Sequence, residues 1–248
     1  MEDCVVLHGI VLRSGDVGEY DKRLVILTKE RGRITAFASG ARRPKSLLRA
    51  GCVMFVYGEF TLYPMKDAYK VNSVEIENAF YQLSGDIQTA CYASYFAEGA
   101  EYFTQENVAC VQVLKLLYQS FRALLSDKIP NRLVRCIFEM KMLVLDGTYP
   151  QMFQCIHCGI EQVKYFSALK NGMFCEKSGK ETGDFTVLNT STIYAFQYII
   201  SAQISKLYTF VVKEEVLAEM EFVLRRYYQL HVEKDFNSLE ILKVCGEK

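Results

Sequence analysis

The sequence predicts an α+β protein: a small five-stranded barrel, then a helical body interrupted by a loop-rich insert that bears cysteines. Three observations carry that expectation. Apolar residues alternate with a period of two from Val5 to about Phe80, and recur with a period of 3.6 after Ser84. Between Cys155 and about Phe185 both patterns fade, and glycines at 159, 172, 179 and 183 replace them. At 248 residues the chain is long enough for two or three packed units, and neither an internal repeat nor a low-complexity linker divides it.

Residues 5–12 read as the first strand. Residues 23–28 and 33–38 flank the turn Lys29-Glu30-Arg31-Gly32 as a hairpin. Residues 52–63 and 69–77 follow, joined around Pro64-Met65-Lys66-Asp67. Five short strands with regular turn signals fit a closed barrel. A five-stranded oligonucleotide-binding (OB) barrel is the economical solution, although an SH3-like barrel has nearly the same signature.

Beyond the barrel, Ser84 or Asp86 is placed to cap a helix running to about Phe103, and Asn107 one running to about Leu125. Pro130 opens a third helix that Gly147 ends, with Pro150 beyond. After the insert, the cap-rich run at 189–192 begins a helix to about Ile204, and another spans 213–231. Met and aromatic residues recur at helical spacing in 91–145 and 193–230, as core residues do. The expected organisation is a barrel domain over 1–80, a helical domain in two parts over 81–152 and 188–248, and an insert over 153–187.

Composition narrows the class. Half the residues are apolar and 29 Lys+Arg balance 29 Asp+Glu, as in a folded rather than a disordered or supercharged chain. No stretch approaches the ~18 to 20 apolar residues of a membrane span. Acidic Glu2 and Asp3 stand where a signal peptide would be positive, so a cytoplasmic protein is expected. Cys4, Cys52, Cys91, Cys110, Cys136 and Cys245 stand alone in apolar or helical patterns and are expected as buried, reduced thiols.

The balanced charge conceals a local excess. From Lys22 to Arg49 nine Lys or Arg face a single acid, Glu30. Arg33, Arg42, Arg43, Lys45 and Arg49 surround the turn Gly-Ala-Arg-Arg-Pro-Lys-Ser. Guanidinium and ammonium groups bind phosphate oxygens, and Gly40 and Pro44 let a restricted backbone approach a ligand closely. The plainer alternative is a solvated charged loop. Phe37, Phe55, Tyr57, Phe60, Tyr63 and Tyr69 lie on the same strands, where rings can stack on bases. Strand parity puts Phe60 on the face opposite Phe55, Tyr57 and Tyr63, so at most one set can face a ligand, and for any single ring a place in the core is the expectation.

Cys155 and Cys158 form a Cys-x2-Cys turn, and after 16 intervening residues Cys175 begins a second turn, the spacing of a zinc ribbon. Ser178 occupies the place of the expected fourth cysteine, and a neutral hydroxyl is a poor zinc ligand. His157 lies inside the first turn, between thiolates that already face a metal, so its imidazole is expected to point away. Two readings stand: zinc held by Cys155, Cys158 and Cys175 with the fourth ligand missing, or a metal-free ribbon packed by its apolar residues. A redox Cys-x2-Cys lacks a thioredoxin-like frame here. A zinc hydrolase would need a general base that this surrounding does not offer. The chain has no P-loop, Gly-x-Ser-x-Gly or His-Glu-x-x-His, and its histidines, His8, His157 and His231, have no triad partner. Recognisable enzymatic constellations are thus missing from the sequence.

The stretch "HGIVLRSGDVGEYDKRLVILTKERGRITAFASGARRPKS" resembles the opening of the RecO family of bacterial recombination mediators. The resemblance continues through the Cys-x2-Cys-Gly insert to the closing "LRRYYQLHVEKDFNSLEIL". It implies an OB barrel, a helical body and a zinc-ribbon-like insert. It implies binding of single- and double-stranded DNA, annealing of complementary strands and, with RecR, loading of RecA onto DNA coated by single-strand-binding protein (SSB), whose C-terminal tail is a further partner. Such a protein is cytoplasmic and joins the nucleoid during repair. By position, Arg42, Arg43, Lys45 and Ser46 fall on the family's basic segment, and Arg23 and Arg33 match basic positions flanking the hairpin. The sequence departs from zinc-bearing members at Ser178. The competing expectation is a protein adaptor whose basic patch docks an acidic peptide, with DNA binding incidental.

Overall fold

The computed structural model describes residues 4–181 and 183–244; Glu2, Asp3 and Cys245 lie outside them. The chain forms two compact units: residues up to Leu125 together with those from Phe236 onward, and Ser126–Asp235.

The first unit is built on a closed barrel of β1 (Val5–Val17), β2 (Asp21–Thr28), β3 (Gly32–Ala38), β4 (Val56–Pro64) and β5 (Tyr69–Ala79), in the order β1-β2-β3-β5-β4. β1 closes on β4 antiparallel, and β3 meets β5 in a short parallel pair at Ala36↔Tyr69 and Phe37↔Lys70. That order and the parallel contact are those of an OB-type barrel. The alternating residues Leu24, Ile26, Ile34, Ala36, Val56, Phe60 and Leu62 fill the interior. Gly9 and Gly58 pair across the β1–β4 seam. A Cβ on Gly58 would lie 2.1 Å from the carbonyl oxygen of Glu75 on β5, so only glycine lets β4 approach β5 this closely there.

Two strand boundaries differ from the sequence reading. β1 continues to Val17 because its polar end pairs with the start of β2, after a bulge between Val11 and Arg13. β4 starts at Val56 rather than Cys52, because Phe55 has a left-handed φ of 69° and donates its N–H to the Val11 carbonyl. Around the barrel lie α1 (Ile87–Tyr102), α2 (Val111–Leu124) and α7 (Asn237–Val244). The Asp86 carboxylate caps α1 by accepting from the Thr89 N–H. Asn107 is not the cap of α2: at φ 62° it donates its N–H to the Arg31 carbonyl, and the helix starts four residues later. α7 packs on α1 through Phe236 against Tyr95 and a hydrogen bond from Ser238 Oγ to Glu98.

The second unit contains α3 (Asn131–Asp146), α5 (Thr190–Ser201) and α6 (Glu214–His231), with an insert of β6 (Tyr165–Ser167), β7 (Gly172–Phe174), α4 (Glu176–Glu181) and β8 (Thr186–Val187). Gly147 ends α3 at φ 84°, the left-handed stop its position predicts. Buried Lys141 on α3 donates to the carbonyls of Ile199, Ile200 and Ala202 at 2.8 to 3.1 Å, capping the C-terminus of α5 with a positive charge. Arg132 pairs with Glu214 and Glu221, tying α3 to α6. Among the described residues no helix is long and apolar enough to cross a membrane.

Cys52 and Cys136 are buried, and Cys91 and Cys110 half-buried, but Cys4 is exposed. It precedes β1, whose pairing with β4 begins at Val5.

Candidate nucleic-acid interface and cysteine cluster

The basic segment is the connection between β3 and β4, folded as successive tight turns. Arg43 donates its N–H to the Gly40 carbonyl, Ser46 to Arg43 and Arg49 to Ser46, each at 3.0 to 3.3 Å. Ala41 and Cys52 are fully buried and anchor both ends in the barrel core, and the Gly40 N–H donates to Asp21. The intervening side chains are therefore displayed on a fixed backbone.

The seven basic-site residues divide by environment. Arg43, Lys45 and Arg49 are exposed, and Arg43 lies 5.2 Å over the ring of Tyr20. Among the described residues the charged groups of Lys45 and Arg49 have no partner. Ser46 is half-buried and its Oγ accepts from the Leu48 N–H, so it shapes the turn. Leu47 at the apex is almost wholly exposed. Arg42 is braced: its Nε lies 3.2 Å from Asp16, and it donates to the Glu19 carbonyl at 2.9 Å.

Arg23 is exposed and lines a cleft of about 520 Å³ with Arg13, Asp16, Met54 and Glu101. Arg33 faces α1, donating to the Glu101 carbonyl at 3.1 Å with its guanidinium 4.0 Å from the Glu101 carboxylate. The same carboxylate holds Arg13 at 2.8 Å. Arg13 and Tyr20 escaped the sequence reading. Arg13 stands outside the basic run, and Tyr20 sits in a turn between strands.

The barrel aromatics are mostly committed elsewhere. Phe60 is inside the barrel. Phe55 and Tyr57 lie under α2, edge-on to Phe121 and Tyr118 at 5.2 and 5.0 Å. Of the parity set Phe55, Tyr57 and Tyr63, a helix thus covers two, and those two rings pack against α2 rather than facing a ligand. Tyr63 is exposed, Phe37 is half-buried, and Tyr69 accepts from Arg31 at 2.7 Å.

The cysteine cluster forms as the spacing predicts. The sulfurs of Cys155, Cys158 and Cys175 all lie within 4.8 Å of one another. Gly159 (φ 75°) closes the first turn by donating to the Cys155 carbonyl at 2.9 Å, and Gly179 closes the second on Cys175 at 2.8 Å. Burial raises the Cys155 thiol pKa, but the N–H donors of Cys175, Cys158 and His157 outweigh it and bring it down to about 6. A thiol so favoured as thiolate is ready to ligate. Cys158 and Cys175 are 3.6 Å apart, close to the ~3.8 Å edge of a tetrahedral zinc thiolate, so these three residues could hold a metal ion. The His157 imidazole is not part of the sulfur cluster; its Nδ1 lies 3.1 Å from Ser178 Oγ.

Two family models match the chain in succession. The family model described as "Recombination protein O N terminal" matches residues 1–80, and that described as "Recombination protein O C terminal" matches 84–240. The DNA repair protein RecO of Acetivibrio thermocellus is 34% identical over 238 residues, covering 95% of this chain and 94% of that protein. Its namesake in Alkaliphilus metalliredigens is 31% identical over 95% of this chain and 97% of its own length. That of Bacillus subtilis is 29% identical over 90% of this chain and 87% of its own. With family models spanning nearly all of the sequence and relatives above 30% identity over almost its full length, the chain belongs to the RecO family.

Proposed function

We propose that this protein is a non-enzymatic recombination mediator in DNA repair. In this reading it binds single- and double-stranded DNA, anneals complementary strands and, with RecR, helps load RecA onto SSB-coated single strands. The observation that carries it is the cluster of exposed cations on a rigid loop of an OB-type barrel. Arg43, Lys45 and Arg49, with Arg23, take DNA phosphates; Arg42, Ser46 and Arg33 hold the loop and barrel surface in shape. Binding through phosphates carries little base preference and strong salt dependence. Annealing then needs no reacting group: two strands partly neutralised on one surface repel less, and base pairing drives the rest. The OB topology, the family membership and the names of the relatives support this reading. Zinc in the Cys155, Cys158 and Cys175 cluster is part of it, as a structural ion of the ribbon-like insert. The expected location is the cytoplasm, with association to the nucleoid during repair.

The test is fluorescence-anisotropy binding of labelled poly-dT, paired with an annealing assay, for wild type and Arg43→Glu/Lys45→Glu. Loss of binding and of annealing in a variant that keeps its circular dichroism spectrum supports the reading. Unchanged binding moves the DNA site elsewhere. Loss of binding to an acidic peptide with DNA binding intact makes the loop a protein-docking surface.

A further inference from the structure

The cysteine cluster lacks a fourth thiolate, and two polar side chains stand where one would be. Cys175 immediately precedes α4 and Ser178 follows three residues later, so both fall on one face of that turn. Both are buried, at 7% and 6% exposure. Ser178 Oγ lies 3.6 Å from Cys175 Sγ, and Cys158 Sγ lies 3.6 Å from that same sulfur. Tetrahedral zinc with Zn–S near 2.3 Å and Zn–O near 2.1 Å has S···O edges of about 3.6 Å and S···S edges of about 3.8 Å. The serine oxygen is therefore at a ligand's edge length from Cys175 Sγ.

Its second neighbour is His157 Nδ1 at 3.1 Å. With the ring proton on Nε2, Nδ1 accepts the Ser178 O–H, leaving oxygen lone pairs for a metal. The hydrogen bond also pulls density onto the oxygen, supplying the anionic character that an isolated serine lacks.

We propose that Ser178 Oγ is the fourth ligand of a Cys3Ser zinc site and that His157 is the residue that orients and polarises it. The inference rests on the reading of the cluster as a zinc site. His157 acts through Ser178, without contact to the metal, and is a positioning residue.

The experiment uses the full chain, with zinc content by elemental analysis, affinity by chelator competition and coordination by cobalt(II) absorption. Wild type is expected to hold one zinc per chain. Ser178→Ala should weaken zinc at least tenfold and shift the cobalt d–d bands as the oxygen ligand changes. His157→Ala should weaken zinc about 10- to 100-fold, the range for a ligand's hydrogen-bond partner. In a Ser178→Cys background, where a thiolate needs no polarising partner, His157→Ala should have no effect. Several results would overturn the proposal. Ser178→Ala binding as tightly as wild type means that another group fills the fourth position. A His157→Ala defect that persists beside Ser178→Cys makes the imidazole itself a ligand. Zinc binding by Ser178→Cys but not by wild type shows that the natural set is too weak, and binding by neither removes the zinc reading altogether.

Discussion

The environments of the loop cations predict how DNA affinity should depend on salt, residue by residue. Four exposed cations, Arg23, Arg43, Lys45 and Arg49, are available to phosphates, whereas Arg42 and Arg33 already face Asp16 and Glu101. Single strands release about 0.7 counterion per neutralised phosphate, so four contacts give a slope of log K against log salt near −2.8. Between 50 and 200 mM salt, affinity for poly-dT should then fall ~50-fold. Lys45→Gln/Arg49→Gln removes two contacts, the slope drops to about −1.4, and the same salt change costs only ~7-fold. Arg42→Gln should leave the slope nearly unchanged, because its charge is already opposed. The measurement is an anisotropy titration at four or five salt concentrations for the three proteins. If Arg42→Gln flattens the slope as much as the double variant does, the division into free and braced cations is wrong. If the double variant keeps the wild-type slope, the loop is not the phosphate site.

Other predictions concern the frame that holds these sites. Lys141→Met should destabilise the protein by about 2 to 4 kcal/mol in urea unfolding, because it strips a charged donor from three carbonyls at the end of α5; a loss under about 1 kcal/mol would mean that water replaces it. Gly58→Ala forces a methyl group against the Glu75 carbonyl and should cost about 1 to 3 kcal/mol or more, read as a lower urea midpoint with unchanged m-value. Phe121→Ala removes a fully buried ring shared by Phe55 and Phe80 and should cost about 3 to 5 kcal/mol, measured in the same way.

The barrel was legible because its interior alternates: Ile34, Ala36 and Ala38 point inward and Arg33, Thr35 and Phe37 do not, so period and turn residues suffice. The extension of β1 through Arg13-Ser14-Gly15-Asp16-Val17 was not, since it buries neither face and leaves no period to read. Helix ends with a fixed chemical stop, such as Asp86 and Gly147, could be placed. Asn107 misled because its polar side chain suits a cap as well as the left-handed turn it occupies. At the candidate sites the clustering of cations and cysteines was visible along the chain, but their partners were not. Glu101 lies 68 residues from Arg33 and Ser178 lies 21 from His157, and only folding decides that these meet.

The chain returns to its first unit at the end. α7 docks on α1 after the whole of Ser126–Asp235 has intervened. During synthesis the ribosome must therefore deliver the second unit, at about 5 to 20 residues per second, before the first can be completed. For some seconds the α1 surface that later receives Phe236 waits open, with Tyr95 and Tyr102 uncovered by their partner. A nascent chain arrested in that interval would carry a finished basic loop on an unfinished support, which makes α7 a latch that closes only after the second unit has been made.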